Sequence, residues 1–381
     1  MSSAHNPDAG NAKIVVVLGA GGFVGKNLML RLAERPAEFH GIGLTRSMPA
    51  EDATRALAGG DVIINLAGVN RPQDDGDFLP GNAAPVEQII AALNNAGRAV
   101  PVIHISSSRA GDGTPYGMSK LAAEQMMLAF AGVSGNPVQV LRLPNIFGKW
   151  ALPNYNSAVA TFCHNIARGL PIRVDNPAAP LTLTYVDDVI DRLFALIADF
   201  PAVSGQAALP LTYQTNVGAV ADMIRGFRSD RDDNLIAEVG TGLPRALYST
   251  YVASLPPADF AYPIVSHRDP RGAFSEMLKT RTSGQFSYFN ALPGVTRGGH
   301  YHHSKTEKFL IVYGTARFRF RHMLTGEEHE VVTSADTPVV VETVPGWTHD
   351  VTNIGDEIMV SMLWANEIFE PARPDTIAEK L

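Results

Sequence analysis

The sequence predicts an α/β doubly wound parallel sheet followed by a small all-β barrel. Up to about residue 250, short apolar strands alternate with stretches of helical periodicity, the pattern of a parallel sheet covered by helices on both faces. From Arg271 onward, short strands are separated by glycine turns and helical periodicity is scarce, which is typical of a jelly-roll barrel. A chain of 381 residues also exceeds one ordinary hydrophobic core, so two folded domains are expected.

The elements can be placed in order along the chain. The run 13–18 (KIVVVL) is apolar almost throughout, as in a strand that is buried on both faces. Further strands of the parallel sheet are predicted at 41–45, 61–67, 100–106 and 138–143, and helices at 24–34, 84–96, 119–131, 189–199 and 217–227. Barrel strands are predicted at 286–289, 307–312, 316–322, 328–332, 339–344 and 358–364. The predicted division is a disordered tail (1–12), an α/β domain (13–250), a proline-punctuated connector (251–265) and a β domain (266–381).

Composition and charge exclude several classes of function. A formal net charge of −7 argues against nucleic acid or an anionic membrane surface as the main partner. The single cysteine, Cys163, excludes an intramolecular disulfide and a cysteine-based metal cluster, and its expected role is packing. Residues 1–12 lack the apolar core of a signal peptide, and the chain has no apolar run long enough for a membrane span. These features predict a cytoplasmic enzyme.

Three glycines occupy the turn between the first strand and the first helix. Gly19, Gly22 and Gly25 are spaced three apart, which allows a tight turn and brings the helix N-terminus close to a pyrophosphate. In this strand–turn–helix context the pattern indicates a dinucleotide site. Arg46 follows the second strand, where an acidic residue would select NAD, and an arginine suits the 2′-phosphate of NADP. The sequence therefore favours NADPH; the alternative is that Arg46 is a solvated surface residue.

A tyrosine and a lysine four residues apart lie at the start of a predicted helix. Tyr116 and Lys120 share a helix face, so a nearby ammonium helps the phenol to exchange a proton with a carbonyl or an alcohol. The preceding strand ends in Ser106, Ser107 and Ser108, and a serine hydroxyl there can hold the same substrate oxygen. Together with the glycine turn upstream, this set predicts a nucleotide-dependent oxidoreductase.

These residues resemble the extended short-chain dehydrogenase/reductase family over about residues 13–245. The segments 65–68 (NLAG), 142–148 (RLPNIFG) and 186–189 (VDDV) match further landmarks of that family. The resemblance implies a Rossmann domain whose catalytic residues are Tyr116, Lys120 and either Ser107 or Ser108. It implies cofactor contacts from Gly19, Gly22, Phe23, Val24, Gly25, Arg46, Leu66, Ala67 and Lys120, and substrate contacts from Asn82, Asn145, Asn154 and Asn156.

The β-rich third of the chain carries a cluster of histidines. His300 and His302 point to the same face of a strand, Glu307 follows a turn later, and His349 comes from a distant strand. Three imidazoles and a carboxylate suit a first-row divalent ion, and we expect zinc. The alternatives are that these are ordinary core or surface histidines, or that His303 replaces one of the ligands.

The segments 294–314 and 346–353 resemble the two motifs of the cupin family. An extended reductase followed by a metal cupin resembles the family of bifunctional capsular polysaccharide-synthesis enzymes known as CapF, with local matches at 145–150 (NIFGKW), 183–188 (LTYVDD) and 247–251 (LYSTY). The resemblance implies a UDP-linked 2-acetamido-2,6-dideoxy-4-hexulose, a 4-keto-6-deoxy sugar, as substrate. The cupin would epimerise C3, and the reductase would then reduce the C4 ketone with NADPH, on the route to UDP-N-acetyl-L-fucosamine.

Two other interpretations stay open at this point. The chain could be a single-activity sugar-nucleotide reductase with a structural metal, or the cupin could be a binding or dimerisation module. A homodimer through the cupin domain is expected, because strand edges pair readily. Candidates for the proton carriers of an epimerisation are His303, Lys305, Lys308 and Asp350.

Overall fold

The computed structural model describes residues 12–233, 235–263, 266–269, 272–275, 279–280, 285–367 and 372–381. These residues form two compact units, one drawn from 1–146 and 182–214 and the other from 147–181 and 215–381. Residues 1–11 of the predicted tail, and 264–265 of the predicted connector, lie outside the described residues. Every described helix is too short or too polar to cross a membrane.

The first half of the chain alternates strands with helices. Its elements are β1 (Lys13–Leu18), α1 (Phe23–Ala33), β2 (Phe39–Leu44), α2 (Ala50–Gly59), β3 (Val62–Asn65), α3 (Phe78–Asn94), β4 (Val102–Ser107), α4 (Pro115–Ser134), β5 (Val138–Leu143) and β6 (Asn145–Phe147). There follow α5 (Ala158–Ala167), β7 (Pro180–Tyr185), α6 (Val186–Ala198), β8 (Gly205–Gln206), β9 (Tyr213–Asn216), α7 (Val217–Asp232), β10 (Leu235–Ile236) and α8 (Gly242–Val252).

The remainder of the described chain is built from strands. These are β11 (Ala261–Pro263), β12 (Ser266–Asp269), β13 (Gly272–Ser275), β14 (Lys279–Thr280), β15 (Gln285–Ala291), β16 (Thr296–Tyr301), β17 (Glu307–Tyr313), β18 (Thr315–His322), β19 (Glu328–Ser334), β20 (Val339–Glu342), β21 (Trp347–Asn353), β22 (Met359–Ala365) and β23 (Ile377–Ala378).

The first unit is a parallel sheet with helices on both faces. Its strand order is β2-β1-β3-β4-β5-β8, so the order reverses between β1 and β3. Along β1, Val15 and Val17 pack in one core with α1 and α6, whereas Val16 and Leu18 pack in a second core with α2, α3 and α4. The doubly wound fold class is confirmed. In such sheets the ligand crevice lies at the carboxyl ends of the strands, beside the reversal.

The second unit contains two five-stranded antiparallel sheets, in the orders β11-β20-β17-β22-β15 and β19-β18-β21-β16-β23. The all-β character predicted for the last third of the chain is confirmed. Strand β11 lies within the predicted connector, yet it pairs with β20. Helices α5, α7 and α8 pack on one another and belong to this second unit.

The structure differs from the sequence prediction at a helix start and at helices such as α2 and α8. Helix α4 begins at Pro115, earlier than expected, because Thr114 caps it by accepting a hydrogen bond from the N–H of Gly117 (3.1 Å). Helix α2 was not predicted, since it buries just two of its side chains, Ala53 and Leu57. Helix α8, which is buried on most sides along its second half, was likewise not predicted from the sequence.

Candidate cofactor, catalytic and metal sites

The turn between β1 and α1 requires glycine at two positions. Gly19 has φ of +78°, and a Cβ there would lie 2.9 Å from the backbone nitrogen of Ala67. A Cβ on Gly25 would lie 2.2 Å from the carbonyl oxygen of Gly19, so a larger residue would push the helix away from the strand. The predicted glycine turn therefore has the close packing that a dinucleotide site needs.

Helix α1 presents its N-terminus at the carboxyl end of β1. The helix begins with Phe23 and Val24; within the described residues, no side chain caps it at Gly22 and its first turn contains no acidic group. The first N–H groups of a helix lack partners inside the helix and, with the helix dipole, attract an anion. This end of α1 fits a pyrophosphate.

Arg46 is an exposed residue of the turn that follows β2. The turn lies beside the glycines, because the N–H groups of Gly19 and Ala20 donate to the carbonyl oxygen of Leu44 at 3.2 and 3.3 Å. A Cβ on Gly21 would also contact the side chain of Thr45, at 3.8 Å. This position suits contact with the ribose end of a dinucleotide, and NADP selection by Arg46 stays a prediction.

The segment after β3 forms the other wall of this crevice. Leu66 donates its N–H to the last residue of β1 at 3.0 Å, and Ala67 donates to the Asn65 side chain at 3.1 Å. The Asn65 amide also lies 3.1 Å from Nδ1 of the buried His104. Burial, together with the positive charge of Lys120, lowers the pKa of His104 to about 3, so this imidazole is neutral. No individual role was predicted from the sequence for Asn65 or His104.

Tyr116 and Lys120 lie in the first turns of α4, as predicted. The Tyr116 ring packs edge-on against Phe78, and the guanidinium carbon of Arg109 lies 5.7 Å from its centroid. The Lys120 ammonium is 3.4 Å from a backbone carbonyl oxygen of β4. Burial lowers the pKa of Lys120 to about 8, although the carboxylate of Glu124 acts in the opposite direction.

The candidate serines differ in accessibility. Ser107 is the last residue of β4, is 8% exposed, and accepts a hydrogen bond from the N–H of Arg109 at 3.2 Å. Ser108 is exposed. Ser106 is buried within the strand. Ser108 is therefore the more accessible of the two predicted catalytic serines.

The loop between β4 and α4 is braced by side chains that the sequence analysis missed. The Asp112 carboxylate accepts hydrogen bonds from Nε of Arg109 (2.8 Å) and from the N–H of Thr114 (3.0 Å). A Cβ on Gly117 would lie 2.1 Å from Oδ1 of Asp112, so the loop packs directly on the helix. These contacts hold the first turn of α4, and with it Tyr116, in one place.

The four predicted substrate-binding asparagines occupy different environments. Asn82 is buried, and its amide donates to the backbone after β3 (2.9 Å) and to the Ser119 hydroxyl (3.0 Å). Asn145 is exposed on β6 in the first unit. Asn154 and Asn156 are exposed before α5 in the second unit. Asn82 thus ties α3 to its neighbours, and contact of all four with substrate stays a prediction.

The four predicted metal ligands converge in the second unit. One ligand atom from each of His300, His302, Glu307 and His349 lies within 4.8 Å of the others. The pairing of β16 with β21 sets His300 directly opposite His349. His302 follows β16 and Glu307 opens β17. The alternative ligand, His303, packs its ring instead against Tyr301, with centroids 5.6 Å apart.

The spacing of these atoms fits a metal ion. Oε2 of Glu307 lies 3.2 Å from Nε2 of His302 and 3.7 Å from Nε2 of His349. Ligand atoms bound at about 2.1 Å to a tetrahedral ion are roughly 3.4 Å apart. Among the described residues, neither ring nitrogen of His349 has a hydrogen-bond partner, although the residue is 3% exposed. Such buried nitrogens are costly unless something binds them.

The electrostatics of the cluster favour the forms that bind metal. Burial, followed by the neighbouring His349 and His302, lowers the pKa of His300 to about 3, and burial also lowers the pKa of His349. Burial acts to raise the pKa of Glu307, but His302, His349 and Lys305 outweigh it and hold that pKa well below its usual range. Neutral imidazoles and an ionised carboxylate are ready to accept a divalent ion.

Lys305 is the candidate proton carrier that contacts the cluster. Its ammonium lies 2.7 Å from Oε1 of the cluster carboxylate. Asp350 instead forms a bidentate pair with Arg319, at 3.1 and 2.5 Å. Lys308 is buried against the carboxylate of Glu342. Because Asp350 follows His349 along β21, strand alternation turns it to the opposite face of the sheet.

The chain is similar to proteins of known families. Residues 15–207 match the NAD dependent epimerase/dehydratase family, and residues 267–377 match the polysaccharide biosynthesis C-terminal domain. The crystal structure of the capsular polysaccharide assembling protein CapF from Staphylococcus aureus is similar to this chain, with 37% sequence identity and a TM-score of 0.66. The alignment covers 97% of this chain and 100% of that chain. The chain belongs to the CapF family.

Two further relatives agree with this assignment. A UDP-2-acetamido-2,6-beta-L-arabino-hexul-4-ose reductase of Pseudomonas aeruginosa is 50% identical over 366 residues, which are 96% of this chain and 98% of the relative. A crystal structure of CapF with the inhibitor 3-isopropenyl-tropolone is 36% identical, has a TM-score of 0.62, and covers 97% of this chain and 100% of that chain. The family predicted from the sequence is confirmed.

Proposed function

We propose that this protein is a bifunctional nucleotide-sugar enzyme. Its β-rich part inverts C3 of a UDP-linked 2-acetamido-2,6-dideoxy-4-hexulose, and its α/β part reduces the C4 ketone with NADPH. The product is a UDP-N-acetyl-6-deoxy-L-talosamine-type sugar on the route to UDP-N-acetyl-L-fucosamine for a surface polysaccharide. The reductase half is supported by the 50% identical relative, which is itself named a reductase. The observation that carries the epimerase half is the convergence of three histidines and a carboxylate in the same chain.

The epimerisation needs a stabilised negative charge and a proton carrier. A proton on C3 becomes acidic when the charge that spreads onto the C4 oxygen is stabilised, and a divalent ion supplies that Lewis acidity. His300, His302, Glu307 and His349 would hold the ion. Lys305 contacts the carboxylate of this cluster at 2.7 Å and is the residue that we assign to moving a proton beside it.

The reduction uses the residues of the first unit. NADPH supplies the hydride when it is bound. Tyr116 donates its phenolic proton to the C4 oxygen, Lys120 orients the ribose and assists Tyr116, and Ser108 donates a hydrogen bond to the same oxygen. Arg46 binds the 2′-phosphate, and the N-terminus of α1 binds the pyrophosphate.

Deuterium exchange separates the two activities. Incubation of the UDP-4-keto sugar in D₂O without NADPH should place deuterium at C3 and release the epimerised ketone, as followed by NMR. Addition of NADPH should then give the reduced product. Glu307→Gln should abolish exchange, and Tyr116→Phe should abolish NADPH oxidation while exchange continues. Exchange that persists in a folded, metal-free Glu307→Gln protein would sink the epimerase assignment.

A second candidate is a single-activity NADPH-dependent reductase whose metal is structural or absent. The name of the 50% identical relative, which describes a reductase alone, favours it. Under this candidate, NADPH oxidation would proceed with no deuterium at C3. Against it, a tropolone carries ketone and hydroxyl oxygens on neighbouring ring carbons, a donor pair that chelates divalent ions, and such a compound is the named inhibitor of a CapF relative.

We also propose a homodimer formed through the β-rich part. Among the described strands, β15 is one of the two outer strands of its sheet, where strand edges can pair between copies. Beside that edge, the cross-strand neighbours Tyr288 and Met362 are 74% and 36% exposed. Tyr288→Glu should convert the dimer to a monomer in light scattering; a dimer that persists would place the interface elsewhere.

A further inference from the structure

The last ten residues of the chain lie against the four proposed metal ligands. We call 372–381 the C-terminal strap. Its strand β23 pairs with β16, so that Ala378 faces the ligand His300. The N–H of Glu379 donates to the carbonyl oxygen of Gly299 at 2.8 Å, and the Thr348 hydroxyl donates to the carbonyl oxygen of Glu379, also at 2.8 Å. The strap thus borders both strands that carry histidine ligands.

Asp375 of the strap binds the loop between β16 and β17. Its carboxylate accepts hydrogen bonds from three consecutive backbone N–H groups, those of His303 (2.8 Å), Ser304 (2.6 Å) and Lys305 (2.7 Å). It also accepts from the Ser304 hydroxyl at 3.0 Å. Consecutive N–H groups make an anion-binding concavity, and bonds to an ionised acceptor are stronger than neutral ones. One carboxylate therefore holds three consecutive residues of the chain between the proposed ligands His302 and Glu307.

The backbone of Asp375 also contacts a ligand directly. Its carbonyl oxygen lies 2.5 Å from Nδ1 of His302. A carbonyl oxygen can only accept a hydrogen bond, so Nδ1 carries a proton. Nε2 faces the carboxylate of Glu307 at 3.2 Å and is the nitrogen left to bind a metal ion in place of a proton. The strap therefore sets the ring orientation that a metal ion bound through Nε2 of His302 requires.

The same loop is also held by α8. Arg245 donates to the Ser304 hydroxyl and pairs with Glu367 at 2.8 Å, and the Ser249 hydroxyl donates to the Ser304 carbonyl oxygen. Helix α8 therefore supplies hydrogen-bond donors, the guanidinium of Arg245 and the hydroxyl of Ser249. The acceptor for the backbone N–H groups of the loop is the carboxylate of Asp375. Loss of Asp375 would leave three N–H groups unpaired while the α8 contacts stay.

We propose that Asp375 is a positioning residue that builds the metal site from outside the ligand set, by capping the amides of 303–305 and by orienting His302. This rests on the proposed metal site. Under this proposal, the C-terminal strap helps the second unit to bind its metal ion.

The variants Asp375→Ala and Asp375→Asn test this in the full chain. In the asparagine variant an –NH₂ group replaces one oxygen and meets backbone donors, with almost no change in volume. Glu379→Gln is the matched control, because that side chain lies in the same strap but pairs with Arg321 (2.9 Å). Zinc affinity is measured by competition with a chromophoric chelator, the ligand field by the visible spectrum of the cobalt-loaded protein, and the amide caps by hydrogen exchange of the zinc-free protein.

We expect both Asp375 variants to bind zinc roughly 10–100-fold more weakly than the wild type and to show an altered cobalt spectrum. The amides of 303–305 should exchange faster even without metal, and Glu379→Gln should match the wild type throughout. Wild-type affinity and spectrum in both Asp375 variants would overturn the inference and leave the metal site intact. If the wild type itself binds no zinc or cobalt, the proposed metal site fails, and unchanged exchange at 303–305 in the variants then overturns the capping role separately.

Discussion

Replacement of Lys120 by methionine should stabilise the protein while it abolishes reduction. Burial lowers the pKa of Lys120 from its ordinary value of 10.5 to about 8, so the folded chain holds this ammonium at a cost. A shift of this size corresponds to about 3 kcal/mol at neutral pH, since each unit is worth about 1.4 kcal/mol. Methionine keeps the length of the side chain without the charge. We expect Lys120→Met to gain about 1–3 kcal/mol in the free energy of unfolding at pH 7.

The gain should depend on pH in a defined direction. Below pH 8 both the folded and the unfolded chain carry the proton, so the wild type bears the whole cost. Between about pH 8 and 10.5 the unfolded chain binds more protons at this site than the folded chain, so wild-type stability rises relative to the variant. The difference between the two proteins should therefore shrink as the pH increases through this window.

Urea unfolding of the cofactor-free proteins at pH 7 and pH 9.5, followed by circular dichroism, measures this difference. The control is Lys13→Met: Lys13 is exposed on β1 of the same unit and its ammonium donates to the carbonyl oxygen of Ile197 at 3.1 Å, so this variant should gain no stability. NADPH oxidation should fall by at least 100-fold in Lys120→Met, because the ammonium assists Tyr116. A variant that is less stable than the wild type at pH 7, or a difference that grows with pH, would refute the reasoning.

Three further predictions test the first unit. Arg46→Asp should raise the KM for NADPH about 10–100-fold and change the KM for NADH far less, because a charge-assisted bond to the 2′-phosphate is lost; equal effects on both cofactors would contradict this role. Ser108→Ala should lower kcat about 100-fold with the free energy of unfolding unchanged, whereas Ser107→Ala should mainly affect stability; the opposite result would assign catalysis to Ser107. Gly25→Ala should weaken dinucleotide binding in calorimetry and destabilise the first unit by about 1–3 kcal/mol, because its Cβ would lie 2.2 Å from the Gly19 carbonyl oxygen. The control Gly132→Ala should be tolerated, because nothing lies within 4 Å of a Cβ at that position.

Much of the fold and of the sites could be predicted because the signals are local. Strand β1 follows from one apolar run, and its predicted bounds agree with the structure. The glycine turn and the Tyr116–Lys120 pair are each contained in a single strand–turn–helix or helix start, so their spacing determines which side chains lie together. The ligand set is partly local as well, since His300, His302 and Glu307 lie within eight residues.

Other features depend on contacts that no local pattern contains. His302 and Asp375 are 73 positions apart, and one acidic residue in a tail gives no sign that it will cap a distant loop. The roles of Asn82 and Asp350 were equally hidden: the tertiary structure buries the first between helices and pairs the second with Arg319. Burial and charge also set the pKa of Lys120, which its neighbours in sequence do not reveal.

The sequence by itself determined the two fold classes, the family, the glycine turn and the four side chains that converge in the second unit, because periodicity and short spacings dictate local geometry. The tertiary structure decided what surrounds those residues: the opposition of His300 and His349 across a strand pair, the protonation that burial imposes, and the strap that holds His302. These depend on the pairing of strands far apart in the chain. The protonation states follow because folding excludes water from groups that only the folded chain brings together.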